Sequence, residues 1–351
     1  RDAPLRRIMT PDTQETVVRR LFEYADGPCG ICFQGGEPTL AGLAFFRAFV
    51  QNIRRFNRRS LPVSYSLQTN GLLIDAAWAA FFAENRFLIG LSLDGTEAAH
   101  DRYRTGADGA GTFARVMEAA RLLALHRVEF NLLTVLTAYA AEHIEEIYRF
   151  FLQSGFPYQQ YIPCLDPLGQ GRGGQAFSLT PEAYAGCLIR LFDAWHRDRT
   201  DGTFVYIRDF ENLAGMLLGY PPERCGMSGR CVNQFVIESD ADVYPCDFYT
   251  LDPYCIGNLT RDGFPALERG CDGCGFVRES IPVHPACAAC EWYPLCRGGC
   301  RRDRQGVLLH DVGLNYYCES YKAFYRHAVP KMRRLIRQLS GEAPEAAACG
   351  D

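Results

Sequence analysis

Phe87-Leu88-Ile89-Gly90-Leu91-Ser92-Leu93-Asp94-Gly95 is an almost wholly apolar run closed by a polar turn. A strand with one wet face alternates apolar and polar residues. A strand apolar throughout is covered on both faces, as in a parallel sheet packed between helices. The same unit recurs on either side of it. Upstream, Ile31-Cys32-Phe33 runs into Gly35-Gly36, and Val63-Ser64-Tyr65-Ser66-Leu67 runs into Thr69-Asn70-Gly71. Downstream, strands are expected at 128–136 and 158–163. Between them lie helical patterns at 40–56, 75–84, 112–125 and 139–153, preceded by one at 11–25 that opens on Thr10-Pro11-Asp12 and carries Val17, Val18, Leu21 and Phe22 on one side. Strand and helix alternate about five times, which predicts right-handed βαβ units and an α/β fold. In such sheets ligands sit beyond the carboxyl ends of the strands. Gln34-Gly35-Gly36-Glu37, Gln68-Thr69-Asn70, Ser92-Leu93-Asp94 and Leu165-Asp166 all fall there.

Helices near 180–198 and 208–218 close this half. After Cys225 the periodicity fades, Gly and Cys rise and the elements shorten, until a helix over 319–339. The segments expected are a barrel-like part over 1–200, a linker helix region over 201–224, a cysteine-rich domain over 225–318, a helix over 319–340 and a disordered tail over 341–351. The chain has 351 residues, 48% of them hydrophobic and 22% charged, enough for a substantial core. Its 37 Lys and Arg against 41 Asp and Glu give a net charge of −4, which supplies no electrostatic case for nucleic acid or an anionic membrane. No apolar run is long enough to span a bilayer. No secretory signal is visible, so a cytoplasmic location is expected.

The cysteines are the unusual feature. There are 16, eleven of them between Cys225 and Cys318, in a chain too long to need disulfide staples. Cys287, Cys290, Cys296 and Cys300 form the densest run. Cys225, Cys231 and Cys246 lie upstream and Cys318 downstream. Thiolates are soft anionic ligands, and four satisfy either a tetrahedral zinc ion or a [4Fe–4S] cubane, so eight make two sets. Only one Cys-x2-Cys pair lies within the eight, where zinc sites often use two. The spacing therefore favours iron–sulfur while leaving zinc open. Cys271 and Cys274 read as extra loop thiols, and Cys29 and Cys32 as buried structural ones.

Three stretches, Phe33-Gln34-Gly35-Gly36-Glu37-Pro38-Thr39, Leu67-Gln68-Thr69-Asn70-Gly71 and Gly90 to Gly95, together with Cys164-Leu165-Asp166-Pro167, resemble a radical S-adenosylmethionine (SAM) enzyme. The cysteine pattern with Tyr244-Pro245-Cys246-Asp247, Cys296 to Arg302 and Leu314-Asn315-Tyr316-Tyr317-Cys318 resembles its SPASM extension. Together they resemble the anaerobic sulfatase-maturating enzymes over residues 8–335. The family's Cys-x3-Cys-x2-Cys is absent from these residues, and the resemblance places it, with the first strand, ahead of Arg1. The expectation is a clipped chain, since losing that strand would leave a buried sheet with an open edge.

The resemblance implies a partial (β/α) TIM-type barrel with a C-terminal SPASM domain. It implies SAM as cofactor, two auxiliary [4Fe–4S] clusters on residues present and a third, catalytic cluster on upstream residues. The implied reaction is oxidation of a cysteinyl or seryl residue of an unfolded sulfatase to formylglycine, with flavodoxin or ferredoxin as electron donor and no nucleic acid or membrane involved. Carried over residue by residue, Gly35, Gly36 and Glu37 hold the methionyl amino group, Ser92 and Arg104 its carboxylate, and Leu165 the adenosine. Gln34 positions the target side chain and Asp247 is the general base. Cys225, Cys231, Cys246 and Cys300 hold one cluster, and Cys287, Cys290, Cys296 and Cys318 the other. Two alternatives stay open: a SPASM enzyme that crosslinks or epimerises a ribosomal peptide, and a metal-binding homologue without catalysis.

Overall fold

The computed structural model describes residues 8–167, 171–304 and 313–340. The expected disordered tail, 341–351, lies outside them. In chain order the elements are α1 (Pro11–Tyr24), β1 (Cys29–Phe33), α2 (Leu43–Phe56), β2 (Val63–Thr69), α3 (Ala76–Glu84), β3 (Phe87–Ser92) and α4 (Glu97–His100). Then follow α5 (Phe113–Leu125), β4 (Phe130–Leu136), α6 (Ala138–Glu142), α7 (Ile144–Gln153), β5 (Tyr158–Pro163), α8 (Pro181–Thr200), β6 (Tyr206–Ile207) and α9 (Arg208–Leu217). The remainder holds β7 (Val236–Ile237), β8 (Asp242–Tyr244), β9 (Gly257–Asn258), α10 (Phe264–Gly273), α11 (Tyr293–Cys296), α12 (Arg301–Arg304) and α13 (Cys318–Leu339).

The chain divides into two compact units. The first takes the described residues up to Ser92 with Thr112–Asn131 and Arg230–Pro282. Its strands β1, β2 and β3 run parallel and in sequence order, Cys29 facing Val63 and Tyr65 facing Phe87. Leu67, Ile89 and Leu91, which share one face of the sheet, are sealed from solvent, whereas Leu88 on the opposite face of β3 is 45% exposed, so the expected burial on both faces does not hold along that strand. Each sealed side chain contributes roughly 1.5–3 kcal/mol. Helix α2 packs on the sheet through Phe46, Phe49, Val50 and Ile53, an i, i+3, i+4, i+7 stripe. Phe33 meets Phe46 and Phe49 edge-on, each with ring centroids 4.9 Å apart. Strands β7, β8 and β9 form a small antiparallel sheet in the same unit.

The second unit takes Leu93–Gly111, Leu132–Gly229 and the described residues from Val283 on. Here β4, β5 and β6 are parallel, Leu132 facing Gln159 and Tyr158 facing Tyr206. Its core is aromatic: the Phe192 and Phe210 rings meet each other, and each also meets Trp195 and Phe324. Thr180 caps α8 by accepting from Ala183 N–H at 3.2 Å, and α13 is tied to α8 by Ser320 Oγ donating to Pro181 O at 2.6 Å.

Two expected helices differ in form. The pattern over 40–56 resolves into a 3₁₀ turn at Pro38–Ala41 and then α2, because Gly42 between them sits at φ 81°. The pattern over 139–153 splits at His143, which leaves helical geometry at φ −100°, ψ 19° and stacks on Tyr139 at 4.1 Å.

Candidate active site and thiol cavity

In the first unit β1 leads out of the sheet into Gln34-Gly35-Gly36-Glu37. Gly35 and Gly36 are both left-handed, at φ 87° and 54°, with nothing within 4 Å of where a Cβ would stand. Glycine is required there by backbone conformation, and the open space leaves the peptide groups exposed to the cleft they line. The Glu37 carboxylate is the strut of this loop. Oε1 accepts from Thr39 N–H (3.0 Å), Thr39 Oγ1 (2.5 Å) and Thr69 Oγ1 (2.8 Å), and Oε2 accepts from Asn70 N–H at 2.8 Å. It thus ties the ends of β1 and β2 together.

Asp247 opens a 3₁₀ turn just after β8, held from below by buried Tyr249, whose ring meets Tyr254 and Phe276 at 5.1 Å each. Its Oδ1 accepts from Phe248 N–H at 3.0 Å and lies 3.3 Å from Cys246 Sγ. Its Oδ2 accepts from Gln34 Nε2 at 3.2 Å, across 213 positions of chain. Both side chains are exposed. Cys32, expected to be buried, is exposed instead and lines the same cleft. Strand β1 follows an alternating burial pattern, so one of its faces opens to the cleft. Cys271, expected in a loop, lies in helix α10 instead; it is buried, and burial pushes its thiol up to about 11.

Ser92 ends β3, half-buried. In the second unit Arg104 donates from Nε to Asp94 Oδ2 and from Nη2 to Asp94 Oδ1, at 2.5 and 3.2 Å, a bidentate pair. Asp94 Oδ1 also accepts from Val135 N–H at 2.8 Å, and Asp94 N–H donates to His100 Nδ1 at 3.2 Å. His100 is sealed from solvent, and burial pushes it down to about 4, which keeps Nδ1 an acceptor. The sequence reading singled out Arg104 but gave Asp94 and His100 no role. The signal available was an acid ten residues before the arginine. Leu165 follows β5, half-buried, and its neighbour Asp166 accepts from Gly173 N–H at 3.1 Å and from Ser178 Oγ. Arg302 Nη2 donates to Asp166 O at 2.9 Å, while Arg172 donates to Arg302 O and pairs with Asp303. The loop bearing Leu165 is thereby stitched to the segment after Cys300.

Cys287, Cys290, Cys296 and Cys318 line one cavity of the second unit. Burial pushes Cys296 up to about 11 and raises Cys287 and Cys318 as well. Left alone these would be neutral thiols; a bound cationic centre makes them thiolates. Among the described residues no three His, Cys, Asp or Glu side chains close on a single-ion point. The four thiols stand around a space, and a centre that fills it, such as a [4Fe–4S] cubane, fits this donor set. The turn after Cys296 runs through three successive left-handed residues, Arg297, Gly298 and Gly299. A Cβ on Gly299 would stand 2.2 Å from Asn315 Nδ2.

The other four cysteines are met in pairs. In the second unit Cys225 opens a 3₁₀ turn, and a Cβ on the adjoining Gly226 would lie 3.3 Å from Cys300 Cβ. In the first, Gln234 N–H donates to Pro245 O at 2.9 Å, aligning the segments after Cys231 and before Cys246. Cys231 N–H donates to Ser280 Oγ at 2.8 Å.

Residues 2–151 match the Radical SAM superfamily and residues 225–291 the iron–sulfur cluster-binding domain called SPASM. The chain is 43% identical over 333 residues to the cysteine-type anaerobic sulfatase-maturating enzyme of Clostridium novyi (strain NT), covering 95% of this chain and 89% of that protein. It is 44% identical over 332 residues to the enzyme of that name from Clostridium perfringens (strain 13 / Type A), covering 95% and 90%. Its fold superposes on native anSMEcpe with bound AdoMet and the Cp18Cys peptide with a TM-score of 0.92 at 42% identity, covering 95% and 92% of the two chains.

Proposed function

The chain belongs to the anaerobic sulfatase-maturating enzymes, radical SAM proteins with a SPASM extension on a parallel α/β fold, and on that premise we propose that it oxidises Cβ of a cysteinyl residue in an unfolded sulfatase to the aldehyde of formylglycine. When bound, SAM and the iron–sulfur centres supply hydrogen abstraction and take up the second electron. The chain's own residues bind, orient and move the proton.

The exposed peptide groups of Gly35 and Gly36 receive the methionyl amino group, with Glu37 acting through them as their strut. Asp94 fixes the plane of Arg104, and Arg104 with Ser92 receives the methionyl carboxylate, a match of fork to carboxylate. Leu165 covers the adenosine. Cys287, Cys290, Cys296 and Cys318 hold one auxiliary cluster, and Cys225, Cys231, Cys246 and Cys300 the other.

The observation that carries the catalytic part is the Gln34–Asp247 hydrogen bond. It sets a carboxylate beside the amide of a residue that lines the cleft. With one hydrogen atom and one electron gone from the target Cβ, the S–H proton must leave to make the carbon–sulfur double bond. Asp247 accepts that proton at Oδ2, and Gln34 orients the thiol. Water then replaces sulfur, releasing hydrogen sulfide and leaving the aldehyde. The relatives at 43% and 44% identity are of cysteine type, which supports cysteine over serine as the target. No helix among the described residues is long and apolar enough to cross a membrane. A reducing cytoplasm suits the thiol ligands, and a flavodoxin or ferredoxin is the proposed electron donor. The proposed segments are 1–200 for the barrel, 201–224 for the linker, 225–318 for SPASM and 319–340 for the closing helix.

Asp247→Asn tests the assignment. The variant holoenzyme should still cleave SAM in the presence of peptide while aldehyde formation falls by about 10²–10⁴-fold. Product at the wild-type rate would remove Asp247 as the base.

A further inference from the structure

Helix α13 begins at Cys318, and the side chain four positions on returns to the same face of the helix. That residue is Lys322, and it lines the cavity formed by Cys287, Cys290, Cys296 and Cys318. Much of the remaining wall is aromatic or aliphatic, as at Trp292 and Leu314. Lys322 Nζ donates to Glu319 Oε1 at 2.8 Å, and the two side chains are 34% and 74% exposed. The Lys322 side chain thus borders the cavity while its carboxylate partner stands mostly in water.

We infer that Lys322 tunes the electron affinity of the centre held by these four cysteines, keeping its reduction potential less negative than the thiolates alone would set, with Glu319 offsetting part of the effect. This rests on the reading of the four as cluster ligands. The physics is direct. Reduction adds one negative charge inside an apolar wall, where Coulomb terms are far stronger than in water. Cluster potentials respond to net charge, to hydrogen bonds on sulfur and to solvent exposure, and a cation beside the thiolates favours the more negative form. Glu319 acts through solvent and so acts more weakly, with opposite sign. Lys322 is thus a positioning residue for charge. It makes the centre a readier acceptor for the electron that substrate oxidation must hand on after the hydrogen atom is gone.

The test uses the anaerobically reconstituted holoenzyme and its Lys322→Met, Lys322→Arg and Glu319→Gln variants. Midpoint potentials are read by redox titration followed with electron paramagnetic resonance. The signal is assigned by its loss in Cys290→Ala. Lys322→Met should move the potential to more negative values and Glu319→Gln to less negative ones, with Lys322→Arg near wild type and iron content equal throughout. Both shifts should shrink in high salt. Opposite signs from two neighbouring substitutions are not produced by loosened packing. An unmoved potential in iron-replete Lys322→Met overturns the inference. If Lys322→Met loads less iron, Glu319→Gln decides: a less negative potential supports it and an unmoved one overturns it. Failure of the underlying reading looks different, since Cys290→Ala would then keep the full iron content, and both fall together.

Discussion

Asp94 does more than close a turn. It grips both arms of the Arg104 fork and takes a backbone N–H of β4, so the guanidinium has one available orientation. Asp94→Asn removes the charge that holds it. Because hydrogen bonds to charged groups contribute about 1.5–3 kcal/mol, SAM affinity should fall by about 10-fold or more, as calorimetry would show. Undiminished affinity would place Arg104 away from the ligand. His100 beneath this pair has a pH signature. Its folded pKa of about 4 lies below the ordinary 6.5, so the unfolded chain binds the extra proton first. Its stability contribution is complete above roughly pH 6.5 and is lost as pH falls toward about 4, by roughly 3 kcal/mol. His100→Gln should flatten that limb of the urea-stability profile. An equally steep loss in the variant would assign it to other groups.

Among the elements, the turn from Cys296 to Cys300 is tightly constrained. Gly299 combines φ 71° with a Cβ position on top of Asn315, and Asn315 in turn donates to Gly298 O at 3.2 Å. Gly299→Ala should cost about 1–3 kcal/mol and lower iron loading, since both ends of the turn are proposed ligands. Normal iron content and melting temperature in the variant would count against that. This turn was readable in advance, because Gly298-Gly299 between two cysteines has little other use. The βα alternation was also readable, since long periodic runs such as Phe46 to Ile53 leave one face for the core. The small sheet of β7, β8 and β9 was not, because strands of two or three residues carry no period. The breaks at Gly42 and His143 were hidden for the opposite reason: the apolar pattern continues through them.

Across the whole molecule, the pairings that make a site link distant positions. Gln34 and Asp247 were each singled out by resemblance, but nothing local in either sequence says that they touch. The same holds for Cys318, far along the chain from Cys287 yet on the same cavity. Cysteine types and spacing carried the chemistry of the centre, while long-range packing decides which sulfurs share it. On the proposed assignment of eight cysteines to two clusters, Cys290→Ala should remove about half of the iron bound by them and leave the rest, as iron and sulfide analysis would measure. Loss of none would dissolve the set. The most direct measurement of what the protein does is mass spectrometry of an unfolded peptide bearing Cys-x-Pro-x-Arg after anaerobic incubation with the reduced holoenzyme and SAM. One hydrazide-reactive aldehyde at the cysteine, with its sulfur gone, is predicted. SAM consumed while the thiol stays intact, or a crosslink in place of the aldehyde, would contradict it.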